Sequence, residues 1–308
     1  MLVFSASDKG GTGRSVTSCN MAYQLSMEGL KVAYLDFDFG SPTAGAIFEI
    51  SRVDCGIGGD VGMHSYLLGE AGSAARLSVR SETDRPELQH SRHPSGRLVL
   101  FPGDAGGAEF SGTDETVTRR CTELLAGCED EFDVTMVDLS AGRSAALTLA
   151  LQATARPQLA SAAVRWLVFH RWSRQHIVAA HGLVHGPHGL LDAGQECGHH
   201  RGELQDAVRY VRTAVPALNQ TEGLRPAQAA WLQIQDNTLT KAAANRYQLG
   251  DTVMLGATPV EPVLQWREQV ILDDDVAAQI ANPETVSAFR ELAALLRSEA
   301  VWESLREW

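Results

Sequence analysis

Lysine is nearly missing from this chain: Lys9, Lys31 and Lys241 stand beside 23 arginines, which makes up all 26 basic residues. An arginine at any one position is therefore weak evidence of a role, whereas a lysine at a meaningful position is strong evidence. Basic charge is also in deficit. Twenty-six Lys and Arg against 38 Asp and Glu leave a formal charge of −12, which argues against bulk attraction to nucleic acid or anionic lipid. DNA and membrane are accordingly not expected as partners. No apolar run of about 18 residues occurs, so no transmembrane helix is expected. The five cysteines, Cys19, Cys55, Cys121, Cys128 and Cys197, are odd in number and form no C-x-x-C pair. That excludes a disulfide framework and reads as reduced thiols. The opening M-L-V-F-S-A-S-D-K has neither a basic n-region nor a long apolar core, so no secretory signal is expected and a cytoplasmic protein is. Internal repeats are absent.

What is present is a chain of 308 residues, 44% apolar, enough for one large α/β domain. Short apolar runs at 2–6, 32–37, 98–101, 134–139, 164–170 and 253–257 read as buried strands. Helical patterns at 15–28, 114–125, 144–153, 174–184 and 283–305 fall between and after them. Helices following strands throughout imply a single domain over 1–308, an α/β fold with a doubly wound, mostly parallel sheet and helices on both faces. Two stretches break the rhythm. Residues 69–97, rich in Ser, Arg, Glu and His, read as an exposed, mobile insertion, and residues 186–202 read as loop.

The most informative stretch is S-D-K-G-G-T-G-R-S-V, Ser7 to Val16. It follows the strand L-V-F-S-A and opens the helical S-V-T-S-C-N-M-A-Y-Q-L. Glycines 10, 11 and 13 free backbone N–H groups to converge on phosphate oxygens at a helix N-terminus, where the dipole also favours an anion. Ser15 stands at the usual magnesium-ligand position of such loops. A second strand ends in V-A-Y-L-D-F-D, with Asp36 and Asp38. A third ends in F-D-V-T-M-V-D-L-S-A-G, where Asp138 is placed to hold magnesium through water, and Ala141 and Gly142 turn toward a γ-phosphate. Each aspartate alone reads equally well as a helix cap. Their order around a phosphate loop, at the carboxyl ends of parallel strands, is what points to a site.

These residues carry a resemblance. K-G-G-T-G-R-S, V-A-Y-L-D-F-D-F-G and F-D-V-T-M-V-D-L-S-A-G resemble the ParA/MinD group of deviant Walker-A P-loop ATPases, most closely over residues 1–48 and again at 132–142. The later V-M-L-G-A-T-P-V-E-P is similar to that group's adenine-side loop. The resemblance implies ATP or ADP with Mg²⁺ as ligands and a homodimer that sandwiches the nucleotide. It makes Lys9 the signature lysine that reaches the partner's phosphates. It makes Asp38 the residue that orients the attacking water, and it places residues 258–261 near adenine. The candidate nucleotide contacts are then Gly10, Gly11, Thr12, Gly13, Arg14, Ser15 and Val16, with Pro259 and Glu261; Ser15 and Asp138 would hold the metal.

Arg14 departs from the pattern, which has lysine there. Lysine is a compact point charge, whereas guanidinium is planar and bidentate. Two accounts stay open: a detuned lysine position that binds nucleotide better than it hydrolyses it, or a site reshaped around the arginine. This substitution marks a variant P-loop subgroup.

Other features carry less. His181, His185, His188, Cys197, His199 and His200 crowd one window, but Gly and Pro interrupt any metal-ligand spacing, so a solvated loop is the expectation. W-L-V-F-H-R-W-S-R-Q-H reads as a strand, a turn and a helix start, with Arg171, Arg174 and His176 as contacts in a nucleic-acid reading. The terminal amphipathic stretch with Trp302, Leu305 and Trp308 has an acidic polar face from Glu299, Glu303 and Glu307. That suits packing on protein better than on a membrane. The reading of function is a nucleotide-switched homodimeric regulator or positioning protein with weak or absent ATP hydrolysis and an unidentified protein partner. The alternatives are a non-hydrolysing scaffold and a DNA- or membrane-positioning ATPase.

Overall fold

The computed structural model describes residues 1–90, 96–110, 112–216 and 224–303. Eight strands form one sheet: β1 (Leu2–Ala6), β2 (Lys31–Phe37), β3 (Leu77–Ser78), β4 (Arg97–Phe101), β5 (Val134–Leu139), β6 (Val164–Arg171), β7 (Val208–Val215) and β8 (Met254–Pro259). Their order is β3-β4-β2-β5-β1-β6-β7-β8. Only β3 runs antiparallel, pairing Leu77 with Leu100. The central parallel strands are largely apolar because both faces are covered; β1 and β5 are buried at every residue. Side chains alternate between two apolar layers. Phe4 stacks on Trp166 at 4.6 Å on one face, while Val3 packs with Met21, Leu25 and Leu292 on the other.

Strand β7, V-R-Y-V-R-T-A-V, is invisible as an apolar run because two arginines interrupt it. The fold absorbs both. Arg209 is fully buried and donates from Nη2 to the Val301 carbonyl at 2.6 Å, and its guanidinium lies 4.8 Å from the Trp302 ring centre. Arg212 lies 3.6 Å from the ring centre of Trp172. Helix Pro226–Arg246 is also absent from the periodicity. Among its residues Ala243 alone is buried, so no apolar stripe marks it.

The stretch read as an exposed insertion is partly a packed element. Leu77, Val79 and Leu88 are buried. Thr83 donates to the Phe48 carbonyl at 2.8 Å, and Arg85 donates to the Val270 carbonyl at 2.8 Å and to Asp275 at 2.6 Å. Its few apolar residues are spent inward, and one arginine ties it to a distant loop. Residues 91–95 of that stretch lie outside the described residues. The window 186–202, read as loop, contains helix Leu190–Glu196 and enters helix Arg201–Asp206, with Leu190 and Leu191 buried. At the C-terminus the expected single helix over 283–305 is two, Pro283–Arg297 and Glu299–Glu303, parted at Ser298. Trp302 is buried on this domain and donates to the Leu296 carbonyl at 3.0 Å. Leu305, Glu307 and Trp308 lie outside the described residues.

Candidate functional site

The carboxyl ends of β1, β2, β5, β6 and β8 come together, and the sequence-predicted residues sit there. Register fixes the acids: Asp138 on β5 is level with Ser5 on β1 and with Asp36 on β2. The loop from β1 enters helix Arg14–Met27 through two glycines in left-handed backbone, Gly11 at φ +70° and Gly13 at φ +73°. Only glycine adopts this without strain. Space is not the constraint, since a Cβ on Gly11 would meet nothing within 4 Å and one on Gly13 would meet Thr213 at 3.8 Å. The loop is pinned from β7, where Thr213 donates to the Thr12 carbonyl at 2.5 Å. From the β5 side, the Gly142 N–H donates to the Ser7 carbonyl at 2.7 Å. Lys9, Gly10 and Gly11 are exposed at the mouth of the loop, while Ser15 is half-buried and Val16 buried.

Arg14 points inward, and its position is the main finding of the site. Its Nε donates to Asp138 Oδ1 at 2.5 Å and its Nη2 to Asp38 Oδ2 at 2.8 Å. Nη1 and Nη2 also reach Ser7 Oγ and Ser15 Oγ, each at 3.3 Å. Arginine and Asp138 are almost sealed, at 6% and 2% exposure, and Asp38 keeps 23%. Asp138's other oxygen accepts from the Tyr34 hydroxyl at 3.0 Å. Burial works against the Arg14 charge, but Asp138 and Asp38 outweigh it and hold its pKa above the ordinary arginine value. Asp38 is pushed upward by burial and drawn back by Arg14. Asp36, buried and next to the Asp138 charge, is pushed up to about 8; its carboxyl accepts from the backbone N–H of Asp38 and of Ala44.

This arrangement tests the metal reading. The oxygens assigned to magnesium, on Ser15 and Asp138, are already bonded to the Arg14 guanidinium, and so is Asp38. Opening a buried pair of this kind costs about 3–5 kcal/mol when nothing replaces the partner. As arranged, these residues do not fit a magnesium ion. Among the described residues no cluster of three or more His, Cys, Asp or Glu side chains is set to hold a metal. In the histidine window His181 donates to the Tyr247 carbonyl at 2.8 Å and His199 to the Leu151 carbonyl at 2.9 Å.

Beside the loop opens a cleft of about 280 Å³, lined by residues 11–13, Val16 and Thr17 on one side and by Thr258, Pro259, Glu261 and Phe289 on the other. Pro259 lines the cleft. Glu261 also lines it, but its carboxylate is used as a brace, accepting from the Asn282 backbone at 2.9 Å, the Thr285 hydroxyl at 2.7 Å and the Val263 N–H at 3.2 Å. Arg171, a candidate contact in the nucleic-acid alternative, lines this cleft. Its place at the carboxyl end of β6 was the available signal. Ser7, Tyr34 and Thr213, which hold Arg14, Asp138 and the loop, gave no signal of their own.

The family model that describes the CobQ/CobB/MinD/ParA nucleotide-binding domain matches residues 3–215. An iron-sulfur cluster carrier protein of Pseudomonas fragi is 44% identical over 51 residues, 17% of this chain and 18% of that protein. The match thus spans under a fifth of that protein's length. Among solved structures, the septum site-determining protein MinD of Pyrococcus horikoshii, complexed with Mg-ADP, superposes with TM-score 0.53 at 14% identity, covering 97% of this chain and 96% of that one. A plasmid partition protein of Borrelia burgdorferi bound to AMPPNP gives TM-score 0.58 at 13% identity, covering 96% and 97%. The sheet order, the glycine loop before the first helix and the matched model agree: the chain belongs to the CobQ/CobB/MinD/ParA nucleotide-binding domain family.

Proposed function

We propose that the chain is a nucleotide-switched regulator or positioning protein that binds ATP or ADP at the loop of residues 9–16, as a homodimer, and hydrolyses ATP slowly or not at all. The observation that carries the reading is Arg14 bonded to both Asp38 and Asp138 inside an otherwise intact phosphate loop. Backbone N–H groups at the helix N-terminus supply the phosphate contacts, and the cleft toward Pro259 has room for a base and sugar. Asp38, the residue the family pattern uses to orient water, is held by an ion pair. Phosphoryl transfer depends on positioning and electrostatics, so a site whose acid is engaged elsewhere binds better than it turns over. Lys9, exposed at the mouth of the loop, suits a role reaching into a second copy.

A non-hydrolysing scaffold is the second reading, favoured by the same engaged carboxylates. Binding of a fluorescent ATP analogue together with phosphate release separates the two. Binding with slow release supports the regulator, binding with none supports the scaffold, and no binding removes both. Cargo positioning on DNA or membrane has less support. The net charge of −12 opposes bulk attraction to nucleic acid or anionic lipid.

A further inference from the structure

We propose that Arg14 is the resident cation of this site, standing where a divalent ion would stand, and that the chain binds nucleotide without magnesium. This rests on the nucleotide-binding reading above. Four of the guanidinium's five N–H donors are committed: one to Asp138, one to Asp38, one to Ser7 and one to Ser15. Ser15 and Asp138 are the very oxygens the family pattern offers a metal. Magnesium demands near-octahedral oxygen ligands at about 2.0–2.1 Å and sheds water reluctantly. It cannot take that position while Asp138 Oδ1 sits 2.5 Å from Arg14 Nε and Oδ2 accepts from Tyr34. Guanidinium is permanently charged and weakly hydrated, which suits it to a buried cation position better than a metal that must first be stripped of water.

The phosphate charge must then be met by the chain itself. Lys9 stands exposed at the loop, and Arg171 lines the cleft beside residues 11–13 without an ion pair among the described residues. The helix N-terminus adds its N–H groups. Together these give a binding site in which added magnesium has no oxygen pair of the protein to bridge to.

Titration of the whole protein with a fluorescent ATP analogue, once in EDTA and once in millimolar magnesium chloride, tests this. The two dissociation constants are expected to agree within about threefold, or to be tighter in EDTA. Greater weakening in EDTA overturns the inference while leaving nucleotide binding in place. Failure to bind in either buffer overturns the proposed function, and this inference with it. Arg14→Lys, checked for folding by circular dichroism, should release Ser15 and Asp138 and acquire a preference for magnesium of about tenfold or more. Equal affinities of a folded Arg14→Lys in the two buffers would overturn the role given to Arg14. If that variant does not fold, the comparison on the parent decides alone.

Discussion

Arg14 decides most of the chemistry, and its burial makes it a structural residue as well. Arg14→Ala leaves Asp38 and Asp138 facing each other with no cation. The expected loss is about 3–5 kcal/mol, read as a drop in melting temperature of several degrees; a melt like the parent's would mean that the carboxylates do not need the arginine. Arg14→Lys is the milder change. One ammonium cannot fork to both acids, so Asp38 regains the freedom to orient water. Turnover is expected to rise about tenfold if the transition state gains about 1.4 kcal/mol. A fall in steady-state phosphate release would instead favour the account in which the site is shaped around the arginine. Asp36 makes a pH prediction. Its folded pKa of about 8 lies above the ordinary carboxylate range, so between those values the folded state carries a proton that the unfolded state has lost. Stability from this group is therefore fully present below the unfolded value and falls as pH rises toward 8, by about 1.4 kcal/mol per unit. Asp36→Asn should remove that slope. Chemical denaturation of both proteins at pH 5 and pH 8 checks it: the variant must gain on the parent at the higher pH.

At the scale of elements, the legible parts were those whose burial is simple. Strands β1 and β5 match the sequence reading residue for residue because both faces are covered and most of their side chains are apolar. The tight turn into the first helix was legible from its glycines, and the meeting of the acids from their place at strand ends. Strand β7 was not, since Arg209 and Arg212 are accommodated by a carbonyl and an aromatic ring far away in sequence. The inward turn of Arg14 was hidden for the same reason: the sequence shows a cation near phosphates, while its partners lie 24 and 124 residues away. Two tests belong here. Gly13→Val forces a β-branched residue into φ +73°, which distorts the loop backbone. Binding of the ATP analogue should be lost, and an unchanged affinity would remove the loop from the site. Trp302→Ala empties the space beneath Arg165 and Arg209 and should cost about 3–5 kcal/mol, seen as a lowered melting temperature. An unaltered melt would show that the last helix is not part of the core.

For the whole molecule, the chain shares the fold of the CobQ/CobB/MinD/ParA nucleotide-binding domain family and places its own charges, above all Arg14, at the carboxyl ends of the strands. The loop retains its left-handed glycines and Lys9, yet the cation inside is covalently part of the protein. The proposed site holds ATP and hydrolyses it slowly or not at all. The most direct measurement incubates the purified protein with ATP, removes free nucleotide, and identifies by chromatography what remains bound as incubation lengthens. The account predicts ATP recovered intact, with free phosphate no higher than in buffer or rising only slowly. Rapid replacement of bound ATP by ADP, with phosphate released in step, would contradict it.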